Sequence, residues 1–422
     1  MMASAIEGDA VDSDGYWQNR SAEALIVNRQ AYHRKPHHVI NHLNEHVHKF
    51  LSFTSSVKFS KHSSDDHSCE ATNPIDQCWR CRGDWAKNRM RLADCVLGFG
   101  RNATGGKGGP IYIVTDPSDD DVVNPKPGTL RYGVIRDEPL WIIFARDMVI
   151  RLQQELLVNS HKTIDGRGAR VFIVGGAGLT LQYVTNVIVH GLYIKNIKSG
   201  SGGMIRDSPE HYGFRGQSDG DGVSIFGSSN LWLDHLSMTN CADGLIDAIM
   251  GSTGITISNC HFTHHNDVML LGAHNTDMQD KMMQVTLAFN HFGKGLVQRM
   301  PRIRLGLVHV VNNDYTHWLM YAVGGSANPT IISHGNRYLA PKNSFAKEIT
   351  KREYTEESEW KSWVWKSEGD FFVNGAFFVE SGIPDQSKMI ELSSLITAKP
   401  GSMASTLTRY AGAIHCEVHK PC

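Results

Sequence analysis

Three of the aspartates within residues 218–304 and the three arginines of that stretch could form one ion-binding site. Asp219 and Asp243 are 24 residues apart, and Asp247 follows four residues later. Two carboxylates that lie close together repel each other unless a cation lies between them. Oxygen ligands alone are typical of Ca²⁺ or Mg²⁺ sites rather than zinc sites. We therefore predict a Ca²⁺ site formed by Asp219, Asp243 and Asp247, with Asp221 as a weaker member.

An arginine cluster closes the same stretch, in the segment QRMPRIR at residues 298–304. Three arginines in six residues are unusual in a chain whose formal net charge is −1. Arg302 and Arg304 would share one face of a strand, whereas Arg299 precedes a bend at Pro301. Guanidinium groups match carboxylates in shape and charge. Beside a Ca²⁺ site, they would hold a polyanion with regularly spaced carboxylates.

Each half of this prediction has a simpler alternative. The aspartates could be surface residues in turns, and the arginines could pair with structural Asp or Glu side chains. The spacing favours the ion site, because it would place Asp219 and Asp243 on neighbouring turns of a repeat, about 5 Å apart. In a straight strand Asp247 would lie roughly 13 Å from Asp243, so the prediction requires a bend between them.

Short β-rich phrases that recur at a nearly fixed interval would position these residues. The phrases begin at Val187, Leu231, Ile255, Val285, Val308 and Ile331. The last four intervals are 24, 30, 23 and 23 residues, and the first, of 44 residues, fits two coils or one long loop. Apolar residues alternate at the start of each phrase, as a half-buried strand requires. One repeat cannot bury its own apolar face, so the coils must stack.

The pattern predicts an all-β protein, a parallel β-helix with long loops. A β-sandwich is the alternative, but hairpin dipeptides such as Asn-Gly are absent between the phrases. A helix over Asp84–Leu97 would cap the N-terminal end of the solenoid. An asparagine recurs near one place in four phrases and is predicted to take a left-handed turn: Asn259, Asn290, Asn313 and Asn336.

Length and composition suggest one long unit with an extension. We expect a polar, His-rich extension and linker over residues 1–68 and a β-helix domain over residues 69–422. Within that domain, the cap would span about 73–100 and a C-terminal packing segment about 340–422. The linker would begin at Thr54, where Ser, Lys, His and Asp become frequent.

Charge and hydropathy exclude some partners. The near-zero net charge provides no field to attract nucleic acid or anionic membranes, and no apolar run reaches the roughly 18 residues of a membrane span. The first residues lack the basic and apolar regions of a secretory signal. His38, His42 and His46 could share a helix face and bind a transition metal, although a solvated amphipathic extension is favoured. We expect a monomer.

The cysteines favour disulfides over a zinc site. Cys78 and Cys81 form a CxxC motif, but no second CxxC follows. In an oxidising compartment, a disulfide between Cys78 and Cys95 is the favoured pairing, although connectivity cannot be deduced from sequence. Asn19 and Asn102 are glycosylation acceptors if the chain is exported.

Long motifs in the chain resemble those of plant-type pectate lyases of polysaccharide lyase family 1, which are related to cedar and cypress pollen allergens. The resemblance runs from about Asn73 to Leu339 and continues weakly to the end. The motifs that carry it include NPIDQCWRC, VTDPSDDD, NPKPGTLR, EPLWIIFARDM, DGDGVSIFGSS, NCADGLIDA, QRMPR and VHVVNNDYTHW.

The resemblance implies a fold, a reaction and roles for residues. The fold would be a right-handed, single-stranded parallel β-helix. The reaction would be calcium-dependent β-elimination of de-esterified α-1,4-polygalacturonate, which leaves 4,5-unsaturated oligogalacturonides. The family positions match Ca²⁺ ligands at Asp219, Asp243 and Asp247, the catalytic base at Arg299 and a substrate-binding arginine at Arg304. Arg302 is assigned to substrate binding together with Arg304. The protein would be secreted and act on pectin during cell-wall remodelling.

An arginine base requires help from its surroundings, because arginine stays protonated far above neutral pH. Nearby Ca²⁺ and the Arg302 or Arg304 guanidinium would favour its neutral form, which predicts an alkaline optimum. Two features depart from the family pattern. Asp267 stands where some relatives carry a basic substrate contact, and residues 273–278 differ from the usual form.

Two other functions are compatible with a pectin-binding β-helix. A polygalacturonase would hydrolyse the same polymer with a carboxylate pair and a water between them, and it would need no arginine base. A non-catalytic β-helix would only bind pectin in the cell wall.

Overall fold

The computed structural model describes residues 15–57, 69–382 and 395–422. These residues form a few helices and many strands. The helices are α1 Tyr16–Ala31, α2 Pro36–Val57, α3 Pro74–Trp79, α4 Leu130–Val134, α5 Glu357–Trp360 and α6 Ala404–Leu407. Short 3₁₀ helices lie at Arg89–Asp94, Met278–Met282, Ser344–Ala346 and Gly401–Met403.

The strands are short and follow one another at regular intervals along the chain. In the first half they are β1 Ile111–Val114, β2 Leu140–Phe144, β3 Met148–Ile150, β4 Leu156–Leu157, β5 Lys162–Asp165, β6 Val171–Val174, β7 Leu179–Gln182, β8 Thr185–His190, β9 Tyr193–Lys195, β10 Gly203–Arg206, β11 Tyr212–Arg215, β12 Val223–Phe226, β13 Ser229–Asp234, β14 Ser237–Thr239 and β15 Ile246–Ile249. In the second half they are β16 Thr253–Ser258, β17 His261–Thr263, β18 His265–Asp267, β19 Met269–Leu271, β20 Gln284–Ala288, β21 His291–Phe292, β22 Leu296–Gln298, β23 Arg302–Arg304, β24 Leu307–Val311, β25 Asp314–Tyr315, β26 Val323–Ser326, β27 Thr330–His334, β28 Arg337–Leu339, β29 Thr350–Arg352, β30 Trp365–Glu368 and β31 Phe371–Val373.

Three long parallel sheets wind around one core, which confirms the predicted parallel β-helix. Sheet A has the order β1-β2-β5-β8-β13-β16-β20-β24-β27-β30, and sheet B has the order β3-β6-β9-β14-β17-β21-β25-β28-β31. Sheet C has the order β29-β26-β23-β19-β15-β12-β7-β4. Along most of the chain, each coil adds one strand to each sheet. The sheets therefore stack coil upon coil.

The predicted alignment of the repeats is confirmed strand by strand. The first residues of the phrases pair in register along sheet A, namely Val187, Leu231, Ile255, Val285, Val308 and Ile331. Since β8 pairs directly with β13, the 44-residue interval is one coil with a long excursion. That excursion carries the antiparallel hairpin β10–β11.

Equivalent side chains of successive coils stack in the core. The rings of Phe262, Phe292, Tyr315 and Tyr338 form a column with centroids 5.1, 4.4 and 4.6 Å apart. These separations are close to the strand spacing of about 4.8 Å, so each ring lies over the next in a favourable stacked arrangement.

Three of the four recurring asparagines, Asn290, Asn313 and Asn336, form a hydrogen-bonded ladder rather than the predicted left-handed turns. Asn259 does have a positive φ of 52°. In the later coils the left-handed residue lies one position earlier, as at Asn312, and this part of the prediction is wrong. Instead, Asn313 Nδ2 donates to Asn336 Oδ1 at 3.0 Å and to Leu287 O at 2.8 Å. Its own Oδ1 accepts from Asn290 Nδ2 at 2.9 Å.

The helix predicted over Asp84–Leu97 is not formed. That segment is a turn followed by the 3₁₀ helix Arg89–Asp94. Its apolar side chains are buried, and they pack on the outer face of sheet A with Trp141 and Trp232. The end of the solenoid is instead covered by α4, whose Leu130 and Val134 join the core of the first coils.

The described part of the N-terminal extension is helical, and it is docked onto the solenoid rather than solvated as expected. Asn28 Nδ2 donates to Gly227 O at 2.9 Å. The backbone of His33 exchanges two hydrogen bonds of 2.8 Å with the Gln284 amide. The predicted linker from Thr54 overlaps the end of α2, and its remainder lies outside the described residues.

Disulfides join six of the eight cysteines, four in the segment before β1 and two in the last residues of the sequence. The predicted Cys78–Cys95 pair is confirmed, and Cys69–Cys81 and Cys416–Cys422 are also bonded. Within the described ranges, none of the helices has the length and apolar character needed to cross a membrane.

We predict that Asn313→Ala lowers the free energy of unfolding by about 2–4 kcal/mol, because it leaves buried groups on neighbouring coils without hydrogen-bond partners. Chemical denaturation of the full chain would measure this loss. Gln153→Ala removes an exposed amide side chain and serves as the control, with an expected change near zero. Equal stability of the two variants would contradict a structural role for the ladder.

Candidate active site

Sheet C forms the floor of a cleft of about 590 Å³ that is lined by aspartates and arginines. Successive side chains of a strand point to opposite faces of the sheet, and this alternation explains which side chains enter the cleft. Ile246 and Ala248 of β15 point into the core, so Asp247 between them points outward. For the same reason, Arg302 and Arg304 point outward on either side of the buried Ile303.

Asp219, Asp243 and Asp247 all line this cleft. The coil interval at this point is 23 residues, since Ser224 pairs with Asp247. Asp243 N donates to Gly220 O at 3.3 Å, so Asp243 lies one position out of step with Asp219 on the neighbouring coil. Asp243 lies in a bend just before β15, as the sequence required.

Burial and mutual repulsion make these carboxylates hard to ionise. Burial raises the pKa of Asp247 well above its ordinary value, and the charges of Asp243 and Asp219 raise it further. Burial is also the first cause of the raised pKa of Asp243, followed by the charges of Asp219 and Asp267. A cation in the cleft would relieve this repulsion.

Asp221 is held by the protein on both of its carboxylate oxygens. Ser224 Oγ donates to Asp221 Oδ2 at 2.9 Å, and Gly244 N donates to Asp221 Oδ1 at 2.8 Å. Burial raises the pKa of Asp221 well above its usual range, and the charges of Asp247, Asp219 and Asp243 add to the shift. Its hydrogen bonds fix the turn between two coils, which suits a supporting role beside the ion site.

The oxygen donors in the cleft are of the type that a hard divalent cation prefers, but there are too few of them to complete its coordination. The groups are carboxylate oxygens, which Ca²⁺ prefers. Among the described residues, no group of three or more His, Cys, Asp or Glu side chains is arranged so that it could hold a metal ion. Because Ca²⁺ takes six to eight oxygen ligands, three aspartates would leave several positions for water and for carboxylates of a bound anion.

Arg299 interacts electrostatically with both the aspartates and the other two arginines of the cleft. Its backbone is constrained. Its φ is 60°, in the left-handed region that a non-glycine residue adopts only at an energetic cost. Its Nε lies 3.2 Å from Asp267 Oδ1. Neither atom has a partner with hydrogen-bond geometry, so the contact is an ion pair. Asp267 is brought there by the pairing of β18 with β22, opposite Gln298.

The other two arginines have different partners. Arg302 Nη1 lies 2.6 Å from Glu353 Oε2, and this pair agrees with the simpler alternative of a structural ion pair. Arg304 is held by neutral acceptors, because its Nη1 donates to Gly272 O at 2.7 Å and its Nε to Asn275 Oδ1 at 3.2 Å. The positive charge of Arg304 therefore faces the cleft without being neutralised by these contacts.

The three arginines repel one another. Burial lowers the pKa of Arg304 to about 10, and the charges of Arg302 and Arg299 contribute to the decrease. A bound polyanion would stabilise all three guanidinium groups.

Several residues that line the cleft were not anticipated from the sequence. They include Asn275, Ser326 and Tyr354, and Glu353 approaches the cleft as the partner of Arg302. Glu353 directly follows β29, which pairs with β26 on the next coil of sheet C. The repeated phrases of the sequence end with the one that begins at Ile331, so the pattern does not predict this coil or its outward residues. The atypical segment 273–278 lies at the same cleft.

Comparison with known proteins gives one consistent family. The family model described as "Pectate lyase" matches residues 150–368, and the model "Pectate lyase, N terminus" matches residues 11–62. A pectate lyase of Lilium longiflorum is 59% identical over 420 residues, covering 100% of this chain and 96% of the relative. A probable pectate lyase 7 of Arabidopsis thaliana is 54% identical over 449 residues, covering 98% and 94%.

A solved structure is similar as well. The crystal structure of Jun a 1, the major allergen from cedar pollen, matches with a TM-score of 0.78 and 49% sequence identity. The match covers 81% of this chain and 99% of that chain.

We predict that Asp247→Asn raises the melting temperature by a few degrees in a chelator. The pKa of Asp247 is raised on folding, so its ionisation opposes folding at neutral pH. This cost decreases as the pH falls below the raised pKa and is gone only below the ordinary pKa of an aspartate. The asparagine retains an acceptor for the Leu270 amide.

Thermal denaturation with and without Ca²⁺ would test this prediction. Ca²⁺ is expected to stabilise the unaltered protein more than Asp247→Asn, whereas the exposed control Asp120→Asn should respond like the unaltered protein. A lower melting temperature for Asp247→Asn in chelator would show that the aspartate does not carry this repulsion.

Proposed function

Because the chain belongs to the pectate lyase family and is a polysaccharide lyase, we propose that it cleaves de-esterified α-1,4-polygalacturonate by calcium-dependent β-elimination. One observation supports this proposal above the others. Adjacent coils of sheet C direct a group of carboxylates and a group of guanidiniums into the same cleft. The substrate carries a carboxylate on each sugar and needs both a cation and positively charged side chains to hold it.

Asp219, Asp243 and Asp247 would hold the Ca²⁺ ion. Their raised pKa values, caused first by burial, indicate a site that gains stability when a cation balances its charge. When bound, the ion would withdraw charge from a substrate carboxylate and so make the neighbouring C5 proton more acidic. Asp221 would hold the turn that places Asp219 beside the next coil.

Arg299 would act as the base. A neutral guanidine nitrogen would take the C5 proton, the electron pair of the C5–H bond would form the C4–C5 double bond, and the C4–O bond would break. The leaving oxygen would gain a proton from solvent. Arg304 and Arg302 would bind substrate carboxylates, and Arg304 is the better placed because neutral groups hold it.

Two opposing influences act on the Arg299 guanidinium. Arg302 and Arg304 lie near enough to Arg299 for mutual repulsion. Asp267 attracts the guanidinium, since its Oδ1 lies 3.2 Å from Arg299 Nε. The Asp267 side chain would thus orient the base.

The disulfides support action outside the cell. Bonds such as Cys78–Cys95 form and persist in oxidising compartments. We propose that the protein is secreted and contributes to pectin degradation and cell-wall remodelling.

Incubation with polygalacturonate should produce ultraviolet absorbance from 4,5-unsaturated ends, and a chelator should abolish the increase. Replenished Ca²⁺ should restore it. New reducing ends without absorbance would identify a hydrolase, and binding without either product would identify a non-catalytic protein.

We expect Arg299→Lys to reduce kcat by roughly 10²–10⁴-fold, the usual contribution of a general base. The rate of the unaltered enzyme should rise with pH through the alkaline range, because the neutral fraction of the base grows. Arg170→Lys is the matched control, since Arg170 forms an exposed ion pair with Asp147. Near-normal activity of Arg299→Lys, with circular dichroism confirming the fold of both variants, would exclude Arg299 as the base.

A further inference from the structure

The hairpin β10–β11 presents an apolar face to solvent. Met204 lies opposite Phe214, and Arg206 lies opposite Tyr212. Cross-strand partners and residues two apart lie on the same side of a hairpin, so these four side chains form one surface, called here the hairpin face. The apolar members are 44%, 49% and 53% exposed at Met204, Tyr212 and Phe214.

The opposite side of the hairpin is anchored to the solenoid. Ile205 is fully buried and packs with Trp17 and Leu157. Arg215 Nε donates to Glu155 Oε1 at 2.6 Å, and the Arg206 backbone N donates to Val122 O at 3.0 Å. These contacts hold the hairpin in one orientation, so the exposure of the hairpin face is built into the fold.

The Arg206 side chain adds a positive charge to this face. Its Cζ lies 5.0 Å from the centre of the Tyr212 ring, in a cation–π contact. Its nitrogens donate to carbonyl oxygens, with Nε 2.5 Å from Val123 O and Nη1 2.8 Å from Pro209 O. Since these acceptors are neutral, they orient the guanidinium without cancelling its charge.

The hairpin leads directly into the cleft. Its closing segment is pinned where Ser218 N donates to Gly200 O at 3.2 Å, and Ser199 Oγ donates to Asp219 O at 2.8 Å. Glu155, which binds Arg215, also accepts a hydrogen bond from Thr180 of β7. Because β7 is the neighbour of β12 in sheet C, the hairpin base lies about one or two strand spacings, roughly 5–10 Å, beyond the aspartates.

We propose that the hairpin face is a distal sugar-binding subsite for a polygalacturonate chain that extends out of the cleft past Asp219. A pyranose ring has a face of C–H bonds that packs against aromatic rings such as those of Tyr212 and Phe214, and Arg206 attracts the uronate carboxylate. This subsite rests on the proposed function, because the occupant is the continuation of the same polymer.

The double variant Tyr212→Ala, Phe214→Ala tests the subsite. With polygalacturonate, KM is expected to rise about fivefold with kcat little changed, a size typical of lost aromatic contacts. With trigalacturonate, which is too short to span the cleft and the hairpin, both constants should match those of the unaltered enzyme. Phe371→Ala on sheet B removes a similarly exposed ring, 45% accessible, and should leave both substrates unaffected.

Two results would overturn the proposal. One is an unchanged KM for polygalacturonate, or an equal loss on the polymer and the trimer. The other is a change from dimer to monomer in sedimentation, which would identify the hairpin face as a contact between copies of the chain.

A direct binding measurement separates this proposal from the lyase activity. If the unaltered protein forms no unsaturated product, calorimetric titration with polygalacturonate still compares it with the double variant. Weaker binding by the double variant then supports the subsite, and equal binding refutes it.

Discussion

The parallel stacking of coils at about 4.8 Å is the constraint on which the rest of this structure depends. Each sheet residue lies directly above and below the equivalent residues of the neighbouring coils. A column of similar side chains therefore either stabilises the stack of coils or destabilises it. The aromatic column and the Asn290–Asn313–Asn336 ladder are stabilising columns. The outward side chains of sheet C are the strained ones, because like charges on successive coils cannot move apart.

The cleft concentrates that strain in two groups of opposite charge. The carboxylates lie around β12 and β15, and the arginines lie around β23. Each group contains a member that other protein groups hold, since Asp221 accepts two hydrogen bonds and Arg302 pairs with Glu353. In the part of the chain that the structure describes, Asp219, Asp243, Asp247 and Arg304 have no oppositely charged partner of this kind, so they can interact with ions from solution. A stable core allows the solenoid to tolerate this unfavourable arrangement, and a bound cation and polyanion would relieve it.

Segments outside the regular coils decide how the solenoid meets its surroundings. The N-terminal helices and the disulfide-bonded segment before β1 cover the outer side of sheet A. The hairpin β10–β11 is added beside sheet C within a single coil. Sheet A is therefore shielded, whereas sheet C stays open and is extended by an aromatic surface.

The sequence by itself determined the stacking of the coils and the identity of the outward charges. Periodicity of two and a recurring interval are local properties of the chain, so the alignment from Val187 to Ile331 and the meeting of Asp219, Asp243 and Asp247 could be predicted. Tertiary structure alone decided the partners of Arg299 and Arg302, the role of the asparagine ladder and the covering of the first coil by α4. Those features depend on contacts between segments that are distant in the chain. A local sequence pattern does not show which distant segment a residue will contact. The Asp267–Arg299 pair shows this most clearly, because only the pairing of β18 with β22 brings the carboxylate to the guanidinium.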